Sequence, residues 1–579
     1  MDKQWSLKEL YDSFEDQKFL DDIQCIQTTL DNMKDIPNSD INEENLKHYL
    51  ETENELDDLV GKVYAFISLT MNANTQNQDA IKYASMIENI LASFAASSAK
   101  IQKWLGTFDL NLIKDPYILE HMYFLKETQK NNTHLLDDES EEVLAKMKTT
   151  GSSAWLKYKD QLISSMKVTI DDKSYPLTEV LNMAYDKDVN VRKKAYEAEV
   201  NAYTQVEQGV ASALNEIKGE AITVANLRGY DSVLDRTLED SRMSQKTLDV
   251  LLKTMQKSLP LFEKFYKLKA KALGYQNGLP WYDLYAPIGE SDMTYSYEEG
   301  CQHVIKQFST FSIHLGEFAK KAIENEWLDV YPREGKVGGA FCYNLHCIGE
   351  SRFLFNYGNQ FSDVVTMAHE LGHGFHGECL NNEYAINSNY PMPIAETASN
   401  FCETIVKKAA LKEVDDNEKL NILETELTDC AQTIVDIYSR FLFESRFIEQ
   451  RKNGPLSVDE IKELMINAQK EAYGNGLDHN YLHPYMWTWK PHYYEADYAF
   501  YNFPYAFGLL LAKGLYGLYQ KQGPSFGDTY EKFLSLTGKN DLVDVGKSVG
   551  IDLEDEIFWQ NSIDMIKEDI DLFEKLLKK

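Results

Sequence analysis

The stretch Met367-Ala368-His369-Glu370-Leu371-Gly372-His373-Gly374-Phe375-His376 carries the pattern His-Glu-x-x-His in a setting that favours a helix. At about 100° per residue, His369 and His373 leave one helix face a turn apart, so both imidazoles can reach one metal ion. Glu370 stands beside them, placed to hold a water without being a ligand. Zinc accepts neutral imidazole, and a catalytic zinc needs three protein ligands and one open position. Ser362 or Asp363 is expected to cap the helix, and Val364, Val365, Ala368, Leu371 and Phe375 supply its apolar cover. With the twelve histidines present in 579 residues, such a pattern arises by chance in roughly one sequence in fifty. Its weight therefore depends on what surrounds it.

Two histidines do not complete a catalytic zinc site. His376 shares nearly the same face, but its Cα lies about 10 Å along the axis from His369, beyond the level of the metal. Cys379 occupies the position where a metzincin would place a third histidine. A carboxylate from the next helix fits better. Pro391-Met392-Pro393-Ile394-Ala395-Glu396-Thr397-Ala398-Ser399-Asn400-Phe401-Cys402-Glu403 opens a helix after two prolines, and Glu396 and Glu403, seven apart, share a face. Glu403 is read as an acceptor that orients a ligand histidine, or as a surface acid. Donors for an oxyanion are expected in Pro491-His492-Tyr493-Tyr494-Glu495-Ala496-Asp497-Tyr498-Ala499-Phe500-Tyr501-Asn502-Phe503-Pro504-Tyr505. Its tyrosine hydroxyls and histidine would need partners in a dry core and suit a wet cleft better.

Composition narrows the function classes. A chain that is 43% hydrophobic and 26% charged is globular and long enough for a large core. A net charge of −33 argues against nucleic acid and against anionic membrane surfaces as partners. Seven scattered cysteines suggest free thiols in a reducing compartment. Cys342-x3-His346-Cys347 lacks a second Cys/His pair at finger spacing, and its two cysteines are read as buried thiols on a strand. No signal peptide and no membrane span is evident, so a cytoplasmic location is expected.

Along the chain, apolar residues recur at threes and fours, as at Leu56, Val60, Val63 and Ile67, and again from Ile81 to Phe94. A small hairpin is expected around Asp171-Asp172. Between Gly335 and Tyr357 the pattern turns Gly-rich and aromatic. Strands are predicted there through Ala340 to Leu345 and Arg352 to Phe355. The expected fold class is mainly α with a small β-sheet beside the histidine helix. Residues 1–190 are expected as an N-terminal helical domain and residues 191–579 as the catalytic domain, with strands near 335–357.

The sequence resembles the M3 family of zinc peptidases, in its oligoendopeptidase F branch, over almost the whole chain. The resemblance is carried by Trp5-Ser6-Leu7-Lys8-Glu9-Leu10-Tyr11, Leu227-Arg228-Gly229-Tyr230, Asp283-Leu284-Tyr285-Ala286-Pro287 and Gly335-Lys336-Val337-Gly338-Gly339-Ala340-Phe341. Its most specific part joins His-Glu-x-x-His to Ile394-Ala395-Glu396-Thr397-Ala398-Ser399 and to His492 before Phe500-Tyr501-Asn502-Phe503-Pro504-Tyr505. The resemblance implies one zinc ion per chain on His369, His373 and Glu396, with Glu370 as general base. It implies that His492 and Tyr501 or Tyr505 face the scissile carbonyl, with Tyr498 a third candidate. It also implies a prolate helical molecule split by a deep channel, one wall of which is the 1–190 domain. Its substrates would be short unstructured peptides, cut at internal bonds.

Gly339 and Ala340, at the start of the first predicted strand, and Tyr498 are candidate substrate contacts, the strand offering a backbone edge. A dipeptidyl carboxypeptidase on the same fold and a non-catalytic peptide-binding protein are the competing readings. The chain is expected as a monomer or small homo-oligomer.

Overall fold

The predicted helical periodicities form. In the computed structural model, which describes residues 3–289 and 293–579, the chain is 72% helical with two small sheets. The Leu56–Ile67 stripe lies on the helix Glu43–Ala73, where Leu56, Val63 and Ile67 are buried, and Asn42 caps its start by accepting from the Asn45 N–H. The Ile81–Phe94 stripe lies on Gln78–Gly106, with Ile87 and Phe94 inward. Asn77 caps that helix through the Ala80 N–H. Each cap satisfies a backbone donor that a helix start leaves open.

The chain divides into two compact units, neither continuous in sequence. One comprises Met1–His134, Met293–Ala409 and Leu518–Ile551, and the other Leu135–Asp292, Ala410–Gly517 and Asp552–Lys579. The boundary expected at residue 190 falls inside the second unit. Helices of similar composition alternate between the units, so composition carries no mark of the crossings. The first unit has a core of Phe19, Ile26, Leu46, Leu50, Phe66 and Ile67, reaching Leu345 and Leu354 of the sheet. The second has a core of Tyr203, Leu214, Ile217, Phe443, Ile461 and Trp487.

The expected hairpin is present. β1 (Lys167–Ile170) pairs antiparallel with β2 (Lys173–Pro176), and Ile170 sits opposite Lys173. Asp171 and Asp172, both at positive φ (47° and 64°), make the two-residue turn, as the mirror-image turns of tight hairpins require. The second sheet holds β3 (Leu328–Asp329), β4 (Phe341–Leu345) and β5 (Glu350–Leu354) in the order β3-β5-β4. β4 is an edge strand, antiparallel to β5, while the two-residue β3, too short for any pattern to betray, runs parallel to it.

The histidine helix spans Phe361–Leu380, with Gln360 before it. Asp363 acts from inside the first turn, accepting from the N–H groups of Gln360 (2.8 Å) and Gly358 (2.9 Å). The cap expected at Ser362 or Asp363 is thus shifted to Gln360, with Asp363 as its reciprocal partner. Gly374 lets this helix approach the sheet, since a Cβ there would come within 2.5 Å of the Phe353 ring.

His376 lies outside the ligand cluster, as its height on the helix dictates. It is fully buried, stacked on Tyr390 with ring centroids 3.9 Å apart, and its Nε2 is 2.8 Å from Thr537 Oγ1. Burial, helped by the neighbouring His373, pushes its imidazole from 6.5 down to about 3. Between those values the unfolded chain binds a proton that the folded chain refuses. Its contribution is therefore full above pH 6.5 and declines as pH falls, by at most about 1.4 kcal/mol per pH unit. Urea melts at pH 7 and pH 5 should show wild type losing more stability on acidification than His376→Gln, and equal losses would contradict this account.

Candidate active site

The histidine helix and the helix Met392–Glu413 that follows it bring five of the expected residues together. His369 Nε2 and His373 Nε2 are 3.2 Å apart, and Glu396 Oε2 lies 3.4 Å from the first and 3.5 Å from the second. Tetrahedral zinc with ligands at about 2.0–2.1 Å has ligand–ligand edges of about 3.3–3.4 Å. The three atoms thus fit one face of a zinc tetrahedron, and the side chains keep 18–25% exposure, which leaves the site reachable. A carboxylate oxygen of buried Glu370 also lies within 4.8 Å of both imidazoles.

Glu403 holds the other side of His369. Its Oε1 is 2.5 Å from His369 Nδ1, and its Oε2 accepts from Lys407 at 2.8 Å. This contact fixes the ring so that Nε2 faces His373 and Glu396, as an outer carboxylate does for a metal-bound histidine. Glu403 is 18% exposed, and both of its carboxylate oxygens are engaged.

The electrostatics fit a cation in the middle. Burial pushes the Glu370 carboxyl up, against the pull of the two imidazoles. Burial opposes ionisation of Glu396 and Glu403 too. Hydrogen bonds and charges from His373, His369 and Ser399 hold Glu396 at about 2, and Lys407 and His369 hold Glu403 at about 2. Burial alone would lower His369, but Glu403, Glu370 and Glu396 drive it up to about 9. Three carboxylates crowd two imidazoles with one lysine beside them, a donor set that a divalent cation neutralises.

The closeness of the two helices depends on Gly372, whose role the sequence reading passed over. A Cβ there would lie 2.6 Å from Ala398 O and 2.8 Å from Ser399 Cα, in the backbone of the opposing helix. A glycine in mid-helix, between two candidate ligands, was the available signal.

The second group of expected residues gathers in the other unit. His492 sits on a turn at Pro491–Tyr493, and Tyr501 and Tyr505 flank the start of the helix Phe503–Gln522. The His492 ring centroid lies 5.3 Å from that of Tyr501 and 6.2 Å from that of Tyr505. Tyr498, half exposed, is 6.2 Å from Tyr501. Pro504 falls in the first helical turn, where a missing N–H costs nothing. Burial, with the charges of Arg440 and Lys490, lowers His492 to about 4. Gly339, at φ 80°, and Ala340 precede β4, and Asn356 Nδ2 donates to Gly339 O at 2.9 Å.

Comparison with known proteins places the chain in a family. The sequence profile of peptidase family M3 matches residues 182–565, and that of the oligopeptidase F N-terminal region matches residues 109–167. Oligopeptidase PepF of Bacillus subtilis is 24% identical, over 99% of this chain and 87% of its own. An oligoendopeptidase F homolog of Lactococcus lactis is 25% identical, over 90% and 88%. Among solved structures, a putative peptidase from Chlamydophila abortus superposes with a TM-score of 0.84 at 22% identity, covering 99% of this chain and 98% of its own. Oligoendopeptidase-F from Enterococcus faecium superposes with a TM-score of 0.71 at 18% identity, covering 99% and 100%. The profile match spans two thirds of the chain, which therefore belongs to peptidase family M3 and is a metalloendopeptidase. The family implies peptide substrates, and no helix among the described residues is long and apolar enough to cross a membrane.

Gly372→Ala should force the two helices apart, lowering divalent-metal affinity by tenfold or more and stability by about 1–3 kcal/mol. Chelator-competition titration and thermal melts would measure both. Unchanged metal affinity would mean that the helices are not held at contact by this glycine.

Proposed function

We propose that this protein is a zinc peptidase that cuts internal bonds of short unstructured peptides, with zinc on His369, His373 and Glu396 and with Glu370 as general base. The observation that carries the reading is the near-equilateral triangle of His369 Nε2, His373 Nε2 and Glu396 Oε2, at 3.2, 3.4 and 3.5 Å. Zinc, when bound, supplies Lewis acidity that brings the pKa of water towards neutrality and polarises a peptide carbonyl.

Glu370 takes the proton of the attacking water, as the water oxygen bonds to the carbonyl carbon. It then passes that proton to the amide nitrogen as the C–N bond breaks. Its buried position supports this role, because burial raises the carboxyl's affinity for a proton. Glu403 keeps His369 in the orientation that offers Nε2 to the metal. The roles of His492 and of Tyr501 or Tyr505, as donors to the oxyanion, rest on the family resemblance. The free edge of β4, entered through Gly339 and Ala340, supports backbone pairing with an extended peptide and little dependence on its sequence. All seven cysteines are free thiols, which supports a cytoplasmic location.

Glu370→Gln should retain zinc and lose turnover by about three orders of magnitude or more. Digestion of a mixed peptide pool with an unfolded protein, read by mass spectrometry, should show internal cuts confined to short peptides and absent from the variant. Stepwise release of C-terminal dipeptides would transfer the reading to a carboxypeptidase, and substantial activity in Glu370→Gln would remove it as the base. Glu403→Ala should weaken zinc binding by about 10–100-fold, measured by chelator competition. Wild-type affinity would leave Glu403 with no part in holding His369.

A further inference from the structure

The segment that carries His492 and the tyrosines is pinned from one side by a single stripe of charge. Asp436, Arg440 and Glu444 stand four residues apart along a π-helical turn, Gln432–Asp436, and the helix Ile437–Arg451 that continues it. Spacing of four keeps all three on one face. Asp436 and Arg440 pair at 2.5 Å, and Tyr473 donates to the same carboxylate at 3.2 Å. The other end of the Arg440 guanidinium donates to Asn502 Oδ1 at 2.9 Å. Arg440 and Asn502 are 9% and 3% exposed, so this chain of contacts is screened from water.

Glu444 grips the same segment two residues earlier. Its Oε1 accepts from the Phe500 N–H at 3.0 Å while paired with Lys218 at 2.6 Å, both side chains being buried. Phe500 has φ 57°, a left-handed conformation that a bulky residue adopts only when its surroundings impose it. Thr237 donates to Ala499 O at 2.9 Å, and Lys148 and Arg236 both reach Asp497. Tyr498 and Tyr501 lie between these anchored residues in the sequence.

We propose that Arg440, clamped by Asp436 and holding the Asn502 side chain, is a positioning residue for the reaction, fixing the segment that presents His492 and Tyr501. It touches neither substrate nor metal. The inference rests on the reading that His492 faces the substrate, and the experiment separates the two.

Zinc-loaded full-length protein is assayed on an internally quenched peptide as wild type, Asn502→Ala, Arg440→Met and His492→Ala. Melting temperature and zinc content are checked in each, and the His492 imidazole is titrated by NMR. Asn502→Ala should lose about 10–100-fold in kcat, as displacement of a reacting group by ~1 Å does, with KM within about threefold. It keeps the Asp436–Arg440 pair, so it decides the question even where Arg440→Met fails to fold.

Folded Arg440→Met should show the same loss in kcat and also an upward move in the His492 titration. After burial, Arg440 and Lys490 are the charges that hold that imidazole down; the rings of Tyr501 and Tyr505 also face it, and Asp436 acts on both cations. Asn502→Ala should leave that titration in place. Wild-type kcat in Asn502→Ala, or a defect confined to KM, overturns the proposal. His492→Ala with wild-type kcat overturns instead the reading on which it rests.

Discussion

The candidate centre depends on how closely two helix backbones approach. The Cα of Gly372 faces Ala398 and Ser399 with no room for a methyl group, and only at that distance can Glu396 meet two imidazoles from another helix. Packed interiors do not deform smoothly. One added carbon would therefore move the whole helix, and the ligand atoms are spaced to within a few tenths of an ångström. A glycine that weakens a helix by about 1 kcal/mol relative to alanine is here the condition for bringing Glu396 up to His369 and His373.

Electrostatics then decides what each carboxylate does. Three glutamates converge on two histidines, and their environments separate their roles. Glu396 is held ionised by the imidazoles and Ser399, and Glu403 by Lys407 and His369. Glu370, 6% exposed, is pushed up by burial against the pull of the two imidazoles. On the proposed reading, such divergence among neighbouring carboxyls would let one site provide both a ligand and a proton acceptor.

Much of this was legible in the sequence, and the limits have physical causes. His369 and His373 were legible because helical periodicity puts residues four apart on one face, and Glu370 because the His-Glu-x-x-His pattern sets it beside them. Spacing alone did not rank Glu396 against Glu403, because residues seven apart share a face, and the choice of Glu396 came from the family resemblance. The structure gives each one nitrogen of the same ring, with Glu403 on Nδ1 and Glu396 by Nε2. The hairpin at Asp171-Asp172 could be read because its turn chemistry is local, and β3 could not, because two residues carry no pattern. The interleaving of the two units and the grip of Arg440 on Asn502, 62 residues away, depend on distant contacts that no spacing records.

The two groups of functional side chains are built on one principle, although they belong to different units. In each, the group that would meet the substrate or metal is held from behind by a buried charged partner that is itself held. Lys407 holds Glu403, which holds His369; Tyr473 holds Asp436, which holds Arg440, which holds Asn502 beside Tyr501. A side chain fixed this way gives up its rotamer freedom during folding, so none remains to be lost when a transition state forms. The strained backbone at Phe500 fits the same logic, since a left-handed bulky residue persists only where its surroundings over-determine it. Rigidity here comes from chains of charge that end in the core, which is why single neutral substitutions in them should reach the chemistry without touching it.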